Sequence, residues 1–568
     1  MRLLAQIRKI DYQLLLLALA LQFTLWCPLA FAVSSVLMWL HVSIGAWHVY
    51  LITFSTTALN LIFLKRYSGK WQLNFGLISM LVYVLFLGLC LPHFNQVFDN
   101  SYDGIWYHQE ALLNFKNGWN PFVRPLRADE GSLWGPFYMN HYPKATWMAQ
   151  AVLYSFTNQL ESVKITQLML MLGLIFLTAF TLLHFSGIPF LVVPIIAVLV
   201  GFNPVSIYQL YSFYVDSHLG LALMGLMLFL VLQLFTRNAI FLWPALLLFV
   251  YVSNIKFTGL VYATFLLGLY FVYCVWKKQP QLWRLIIVLF ASGIFAVGVF
   301  GYPTYIRNII TNQHPFYPIM GPESFGDGIA KIVQSADMEG KNRFEKFWIG
   351  TFARPQWSRA PENSVPKKLF KPIPDPYYYT RSDVEMGSFG PYYAEVFILL
   401  LVGLLLLVVF KFNQKQHVML LLLAITLSAF INAEVWYARY TPHLWLAVLT
   451  IVAALFFIPK LKWLGYLLLI GLLFNNGLLL KYYASVRIIE SKLATEQINQ
   501  LKKLNKPVSI ALGWQITFPI KAKEYGLPCV FKSVNEINKQ EYSSFSGYQQ
   551  GEWAMFNQAE MKAAQSMP

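Results

Sequence analysis

Charge is scarce in this chain. Only 12% of its 568 residues are charged, whereas 57% are hydrophobic, and that charged share is about half of what a soluble domain usually carries. A solvated globular enzyme, a disordered chain and a coiled coil are therefore excluded. Cysteine is scarce too: the four cysteines lie far apart and three fall in apolar runs, so neither a disulfide framework nor a zinc site is predicted.

Long apolar runs fill most of the sequence instead. A membrane-spanning helix needs about 20 apolar residues, and the hydropathy pattern predicts about 13 spans. The predicted spans are 13–38, 43–64, 74–92, 165–184, 189–207, 217–236, 239–254, 257–276, 284–303, 393–410, 417–432, 442–458 and 462–480. The predicted fold is therefore an all-α polytopic membrane protein.

The basic residues predict how the spans are oriented. The formal net charge is +17, and Lys and Arg collect in the short loops that alternate along the chain, which is typical of cytoplasmic loops. This orientation places segments 94–164, 304–392 and 481–568 outside. No Arg- and Lys-rich face with interleaved aromatics is present, so nucleic-acid binding is not predicted. We expect an integral protein of the bacterial plasma (inner) membrane.

The composition predicts three parts. Residues 1–70 form an N-terminal transmembrane hairpin, and residues 71–480 form the transmembrane core with a first outer loop, 94–164, and a lid-like second loop, 304–392. Residues 481–568 have few apolar runs. Two short strand patterns flank a possible helix there, which predicts a small α/β extracytoplasmic domain.

Polar residues gather at the predicted outer ends of the spans. Ionisable residues beside spans are costly, so they are functional candidates. The candidates are Asp99, Asp103, Tyr107, His108, Glu110, Tyr142, Lys144, Asp216, Lys256, Arg307 and Arg439. Singly, each has an ordinary explanation, such as a helix cap for Asp103 or snorkelling for Arg439. Because all of these residues lie at the predicted outer ends of the spans, we predict one outward-facing site. Cations at the lipid boundary of such a site suit a lipid-linked phosphate.

The motifs around these residues resemble those of integral-membrane glycosyltransferases of the GT-C fold, which use polyprenyl-phosphate-linked sugars. The nearest branch contains protein mannosyltransferases, aminoarabinose transferases of lipid A and lipopolysaccharide-core transferases. The similar pieces span about residues 95–445 and read YDGIWYHQEAL, NHYPK, NPVSIYQLYSFYVD, NIKFTG, YIRNIITNQHPFYP and WYARYTP.

The resemblance implies an inverting glycosyltransferase that moves a sugar from a polyprenyl phosphate to a hydroxyl of an acceptor glycan, lipid or protein at the outer membrane face. Asp103 corresponds to the family's general base, and Asp99 is the open alternative. The residues expected to hold the donor phosphate are Arg307, Arg439, Lys256 and Lys144. The residues expected to line the substrate site are Tyr107, His108, Glu110, Asp216 and Tyr142.

The sequence departs from the family pattern in two places. Many relatives carry an adjacent acidic pair in the first outer loop, whereas Asp99 and Asp103 are four residues apart here, and two extra spans precede that loop. No second Asp-x-Asp is evident, so no metal and no other cofactor is predicted. Two other functions stay open. A lipid or glycan flippase would show a helical repeat and mid-membrane charges, and a polysaccharide polymerase would use Arg-rich outer loops without Asp103. Neither the sugar nor the acceptor is specified.

Overall fold

The computed structural model describes residues 2–132, 134–280, 282–325, 334–355, 363–371, 376–383, 387, 389–513, 517–547 and 554–567. Residues 326–333, 356–362, 372–375, 384–386 and 388 of the predicted lid lie outside these ranges. Most of the described chain is helical, and the strands are confined to the C-terminal part. The helices are α1 Arg2–Trp39, α2 Trp47–Ser68, α3 Leu73–Gln96, α4 Gln109–Lys116, α5 Gly135–His141, α6 Ala145–Thr157, α7 Ile165–Leu182, α8 Val192–Gly201, α9 Pro204–Tyr208, α10 Asp216–Thr236, α11 Leu242–Ser253, α12 Phe257–Trp276, α13 Leu282–Ile294, α14 Arg307–Asn312, α15 Arg343–Phe352, α16 Tyr393–Val409, α17 Lys415–Phe430, α18 Trp445–Leu455, α19 Lys462–Lys502, α20 Phe518–Glu524 and α21 Gln558–Gln565. The strands are β1 Val508–Leu512, β2 Cys529–Ser533, β3 Tyr542–Ser544 and β4 Ala554–Asn557.

Within the described ranges, 8 helices are long and apolar enough to cross a membrane. They are Tyr12–Trp39, Trp47–Ser68, Leu73–Gln96, Glu161–Leu182, Asp216–Thr236, Phe257–Trp276, Leu282–Val299 and Pro459–Lys502. The other five predicted spans form shorter apolar helices of 10–17 residues. The prediction of a polytopic helical membrane protein is confirmed in this coarse form, and the count of about 13 spans is not.

The first helix lies at the centre of the bundle. α1 packs against α2, α3, α6, α7 and α11, and its apolar side chains from Leu14 onward are mostly buried. Gly173 permits the contact with α7, because a Cβ at that position would lie 2.6 Å from the backbone nitrogen of Thr24. Small residues allow such close backbone approach between membrane helices.

The last long helix joins the bundle to the C-terminal domain. α19 has 41 residues, and at 1.5 Å per residue it is roughly 60 Å long, about twice the thickness of a bilayer's hydrocarbon core. Its second half therefore projects beyond the bundle. It carries a four-stranded sheet of order β2-β1-β4-β3, in which β1 and β2 are parallel and joined by α20. The predicted pattern of two short strands that flank a helix is confirmed by β1, α20 and β2.

Candidate active site

Four of the predicted residues, distant in sequence, meet at one end of the bundle. Asp103 follows α3, Asp216 begins α10, Lys256 immediately precedes α12, and Arg439 lies between α17 and α18. Arg439 Nη1 lies 3.6 Å from Asp103 Oδ2 and 3.9 Å from Asp216 Oδ2. We call these four residues the Arg439 cluster.

Asp216 anchors the Arg439 cluster. Its side chain is 1% exposed, and its Oδ1 lies 2.6 Å from Lys256 Nζ. Gln209 Nε2 donates to Asp216 Oδ2 over 3.2 Å, and Gln209 Oε1 accepts from the backbone N–H of Ser217. A buried carboxylate is tolerated only when it is paired and hydrogen-bonded, and Asp216 meets both conditions. It therefore holds Lys256 and Arg439 on one side of the site.

Asp103 has the opposite character. Its side chain is 24% exposed, and among the described residues no donor hydrogen-bonds its carboxylate. Burial beside the Asp383 and Asp216 carboxylates raises the pKa of Asp103 to about 6, while Arg439 opposes the shift. A carboxylate with a pKa close to the working pH and with unoccupied lone pairs is suited to accept a proton.

Arg439 has hydrogen-bonding capacity to spare. Its guanidinium group lies over the rings of Tyr214, Tyr437 and Tyr440, with centroid distances of 4.8, 5.0 and 5.5 Å. Its Nε and Nη1 atoms are buried and have no hydrogen-bond partner in the described part of the chain. Buried donors without partners are costly, and a guanidinium fork matches the oxygens of a phosphate. The arrangement is suited to bind an anion.

Asp99, which the sequence offers as the alternative base, is held in place by hydrogen-bond donors around it. It is 1% exposed, and its carboxylate accepts hydrogen bonds from the backbone N–H and the hydroxyl of Ser101 and from the backbone N–H of Phe213. Gly104 leaves room for it, since a Cβ there would come within 1.9 Å of Asp99 Oδ2. Burial raises the pKa of Asp99 to about 6. Of the two carboxylates, only Asp103 is partly exposed and without a hydrogen-bond donor among the described residues.

Two further loop residues are held by their neighbours. Glu110 is 1% exposed and accepts hydrogen bonds from the backbone N–H and the hydroxyl of Ser132. Burial raises its pKa to about 7, although these bonds oppose the shift. His108 is also buried, and its Nδ1 accepts from the indole N–H of Trp147 over 2.6 Å. Burial lowers the pKa of His108 to about 3, so this imidazole is neutral at neutral pH.

The other two predicted phosphate ligands lie together and away from carboxylates. Lys144 is 4% exposed, and its Nζ donates to the carbonyls of Asn140 and Tyr142 and to the Thr304 hydroxyl. Burial and the nearby Arg307 charge hold the pKa of Lys144 well below its usual range. All three Lys144 donors are thus used inside the protein. Arg307 is half-buried and donates to the Phe122 carbonyl over 3.3 Å.

Aromatic rings lie beside the Arg439 cluster. Tyr107 stacks on Tyr138 with a centroid distance of 5.2 Å, and the Tyr142 ring stands edge-on to Tyr138 at 5.3 Å. After burial, the Asp103 charge is a further cause of the raised pKa of both the Tyr107 and the Tyr142 hydroxyls. Tyr107 and Tyr142 therefore lie within electrostatic reach of Asp103, and their role in a substrate site stays a prediction.

Sequence reasoning missed two members of this site. Tyr214 donates a short hydrogen bond from its hydroxyl to Asp383, and Asp383 in turn contributes to the raised pKa of Asp103. Asp383 lies in the second loop. The only signal there is the polar run Arg381-Ser382-Asp383 after a tyrosine-rich stretch, which by itself does not distinguish a site residue from an ordinary loop residue.

Among the described residues, no group of three or more His, Cys, Asp or Glu side chains is arranged to hold a metal ion. The expectation that no metal is needed stays a prediction. No protein-family model matches the chain, and no curated protein matches it significantly in sequence.

Proposed function

We propose that the protein is an inverting glycosyltransferase that uses a sugar linked to a polyprenyl phosphate. The observation that supports this most is the pairing within the Arg439 cluster. Asp103 is a carboxylate that accepts no hydrogen bond among the described residues, and it lies 3.6 Å from Nη1 of Arg439. The Nε and Nη1 atoms of that guanidinium group are buried and make no hydrogen bond in the described part of the chain. Inversion at C1 requires a proton acceptor on the acceptor side of the sugar and an anion-binding group on the leaving-group side, and the Arg439 cluster holds one of each.

In the proposed reaction Asp103 Oδ takes the proton from an acceptor hydroxyl. The acceptor oxygen forms a bond to C1 of the sugar while the bond from C1 to the phosphate oxygen breaks. The electron pair stays on that oxygen, and the polyprenyl phosphate leaves with one more negative charge. A single displacement inverts the configuration at C1. No covalent intermediate is needed, so positioning and charge stabilisation supply most of the catalysis.

Arg439 would stabilise the charge that develops on the leaving phosphate. Its Nε and Nη1 atoms make no hydrogen bond within the described chain, and charge-assisted hydrogen bonds to phosphate are about twice as strong as neutral ones. Lys256 is 28% exposed and bound to Asp216, so it would add a second positive charge. Arg307, which has no carboxylate partner among the described residues, would contact the phosphate from the Lys144 side.

An apolar crevice supports a donor with a hydrocarbon tail. A cavity of about 360 Å³ lies between α7, α8, α10, α12, α17 and α18, and its lining includes Met227, Leu266, Leu421 and Leu449. Lys256 precedes the α12 helix that contributes Leu266, and ten residues of helix correspond to roughly 15 Å. The lining continues to Trp276 at the far end of α12, so a lipid whose phosphate binds at Arg439 would extend its chain along these helices before it enters the crevice.

We further propose that the five shorter apolar helices also cross the membrane, which would give about 13 spans. With the N-terminus inside, the Arg439 cluster then faces the periplasm or the cell exterior of a bacterium. The acceptor would be an envelope glycan, lipid or protein that is present on that side.

A transfer assay with the purified protein in detergent micelles tests this proposal. It would be incubated with undecaprenyl phosphates that each carry one hexose or pentose, together with an extract of envelope lipids and glycans. We expect mass spectrometry to detect free undecaprenyl phosphate and a glycosylated product for one of these donors. A micelle does not separate two compartments, and a flippase would leave every donor chemically unchanged. Unchanged donors would therefore contradict the proposal.

A further inference from the structure

The turn that carries Asp103 is held by the C-terminal domain through hydrogen bonds. The backbone N–H of Phe98 donates to Ser491 Oγ over 2.8 Å. The Asn100 amide donates to Glu490 Oε2 and to the carbonyl of Gly547. Ser491 and Glu490 lie on the projecting half of α19, and Gly547 lies between β3 and β4. The segment just before Asp103 is thus bound to the domain at several points.

The same turn completes the apolar core of that domain. Phe98 and Ile105 are 4% and 1% exposed, and they belong to one buried cluster with Ile510 and Phe518 of the C-terminal domain. Phe98 also packs edge-on against Tyr525 at 5.6 Å. One side chain before Asp103 and one after it are therefore inserted into the core of the C-terminal domain.

A buried charge network joins the two units. Glu161 forms short ion pairs with Lys521 on α20 and with Lys164, and all three side chains are at most 1% exposed. Glu161 Oε2 also accepts from the backbone N–H of Asp99 over 3.1 Å, and Lys164 donates to the carbonyl of Val97. With the Asp99 carboxylate, the network holds two positive and two negative charges. Removing one cation from it would leave an uncompensated buried charge.

We propose that the C-terminal domain is a positioning element of the active site, and that Lys521 is its principal positioning residue. Lys521 fixes Glu161, Glu161 fixes the backbone at Asp99, and Ile105 is held in the domain core on the other side of Asp103. The direction of the Asp103 carboxylate toward Arg439 then depends on the domain. The kinetic part of this inference rests on the proposed function, whereas the structural part does not.

Lys521→Met in the full-length protein tests the proposal, with Lys523→Met as the matched control because Lys523 is exposed on the same helix. We expect Lys521→Met to accelerate hydrogen–deuterium exchange in segment 97–112. We also expect kcat per folded molecule to fall by about 10²-fold, as for a reacting group displaced by about 1 Å, with the KM for the lipid-linked donor within a factor of two. Lys523→Met should match the wild type in both measurements.

The proposal is overturned if folded Lys521→Met shows the same hydrogen–deuterium exchange in segment 97–112 as the wild type. Lower thermal stability with an unchanged kcat would also overturn it, because that result indicates a purely structural role. If the wild type transfers no sugar, the proposed function fails, and the exchange result alone decides this inference.

Thr517→Val is the second variant in case Lys521→Met does not fold. It removes only the 2.6 Å hydrogen bond from the Thr517 hydroxyl to Gln109 Oε1, which links the domain to the start of α4. We expect the same pattern with a smaller fall in kcat, and unchanged exchange and kcat would count against the positioning role.

Discussion

Asp103→Asn tests whether Asp103 acts as a base without changing the shape of the site. The substitution preserves the shape of the side chain and removes its ability to take a proton. Loss of a positioned acid or base typically lowers the rate by about 10²–10⁴-fold, which corresponds to about 3–5 kcal/mol of barrier at 1.36 kcal/mol per factor of ten. We expect a fall in kcat of that size in the undecaprenyl-phosphate-sugar transfer assay, with donor binding retained because Arg439 is unchanged.

The structure also predicts the effect on stability. Among the described residues no donor hydrogen-bonds Asp103, so the amide loses no such bond. The folded state raises the pKa of Asp103 to about 6, above its unfolded value, so at pH 7 folding disfavours the ionised carboxylate. A neutral Asn removes this cost, and the melting temperature should stay the same or rise slightly.

Asp99→Asn is the matched control, four residues away. Asp99 accepts three hydrogen bonds, and an amide would direct its NH2 group at one of these donors. We expect a loss of about 1–3 kcal/mol in the free energy of unfolding, with residual transfer by the folded fraction. Sugar transfer by Asp103→Asn within threefold of the wild-type rate would exclude Asp103 as the base.

Three further outcomes follow from the site. Arg439→Met should weaken binding of undecaprenyl phosphate by about 10–100-fold, the equivalent of about 1.5–3 kcal/mol for hydrogen bonds to a charged group. Arg127→Met is the control and should not weaken binding, because the Arg127 side chain is 71% exposed in the first loop. Equal affinities of the two variants in a fluorescence titration would show that Arg439 does not bind the phosphate. The ratio kcat/KM should fall tenfold per pH unit below about 6 and stay level above it, because Asp103 must be ionised to act as a base; a rate that rises as the pH falls below 6 would contradict the assignment. Lys144→Met should lower the free energy of unfolding by about 1.5–3 kcal/mol, because its three donors bond inside the protein, and undecaprenyl phosphate affinity that drops with no change in melting temperature would show that Lys144 binds the donor instead.

Most of the helical fold could be predicted from the sequence, because long apolar runs have few stable alternatives in lipid. The continuation of α19 past residue 480 was not predicted. Its second half is polar and shows no apolar run, and it is helical because it packs against the C-terminal domain, where Ala494, Ile498 and Leu501 are buried.

The convergence of the Arg439 cluster was also predictable, since residues at helix ends on the same side of a bundle lie near one another. The hydrogen-bonding state of each side chain was not. Lys144 and Arg439 are both cations beside spans. Only the structure shows that Lys144 donates three hydrogen bonds inside the protein, whereas the Nε and Nη1 atoms of Arg439 make none among the described residues. Asp383 was missed because the position of its loop depends on tertiary contacts, including the hydrogen bond from Tyr214.

The configuration of the first transferred sugar tests the central claim most directly. The product of the wild-type reaction would be isolated, and its anomeric configuration compared by proton NMR with that of the undecaprenyl-phosphate donor. The account predicts that C1 is inverted, because Asp103 activates the acceptor for a single displacement. Retained configuration would contradict that mechanism, and an unconsumed set of hexose and pentose donors would contradict the proposed activity itself.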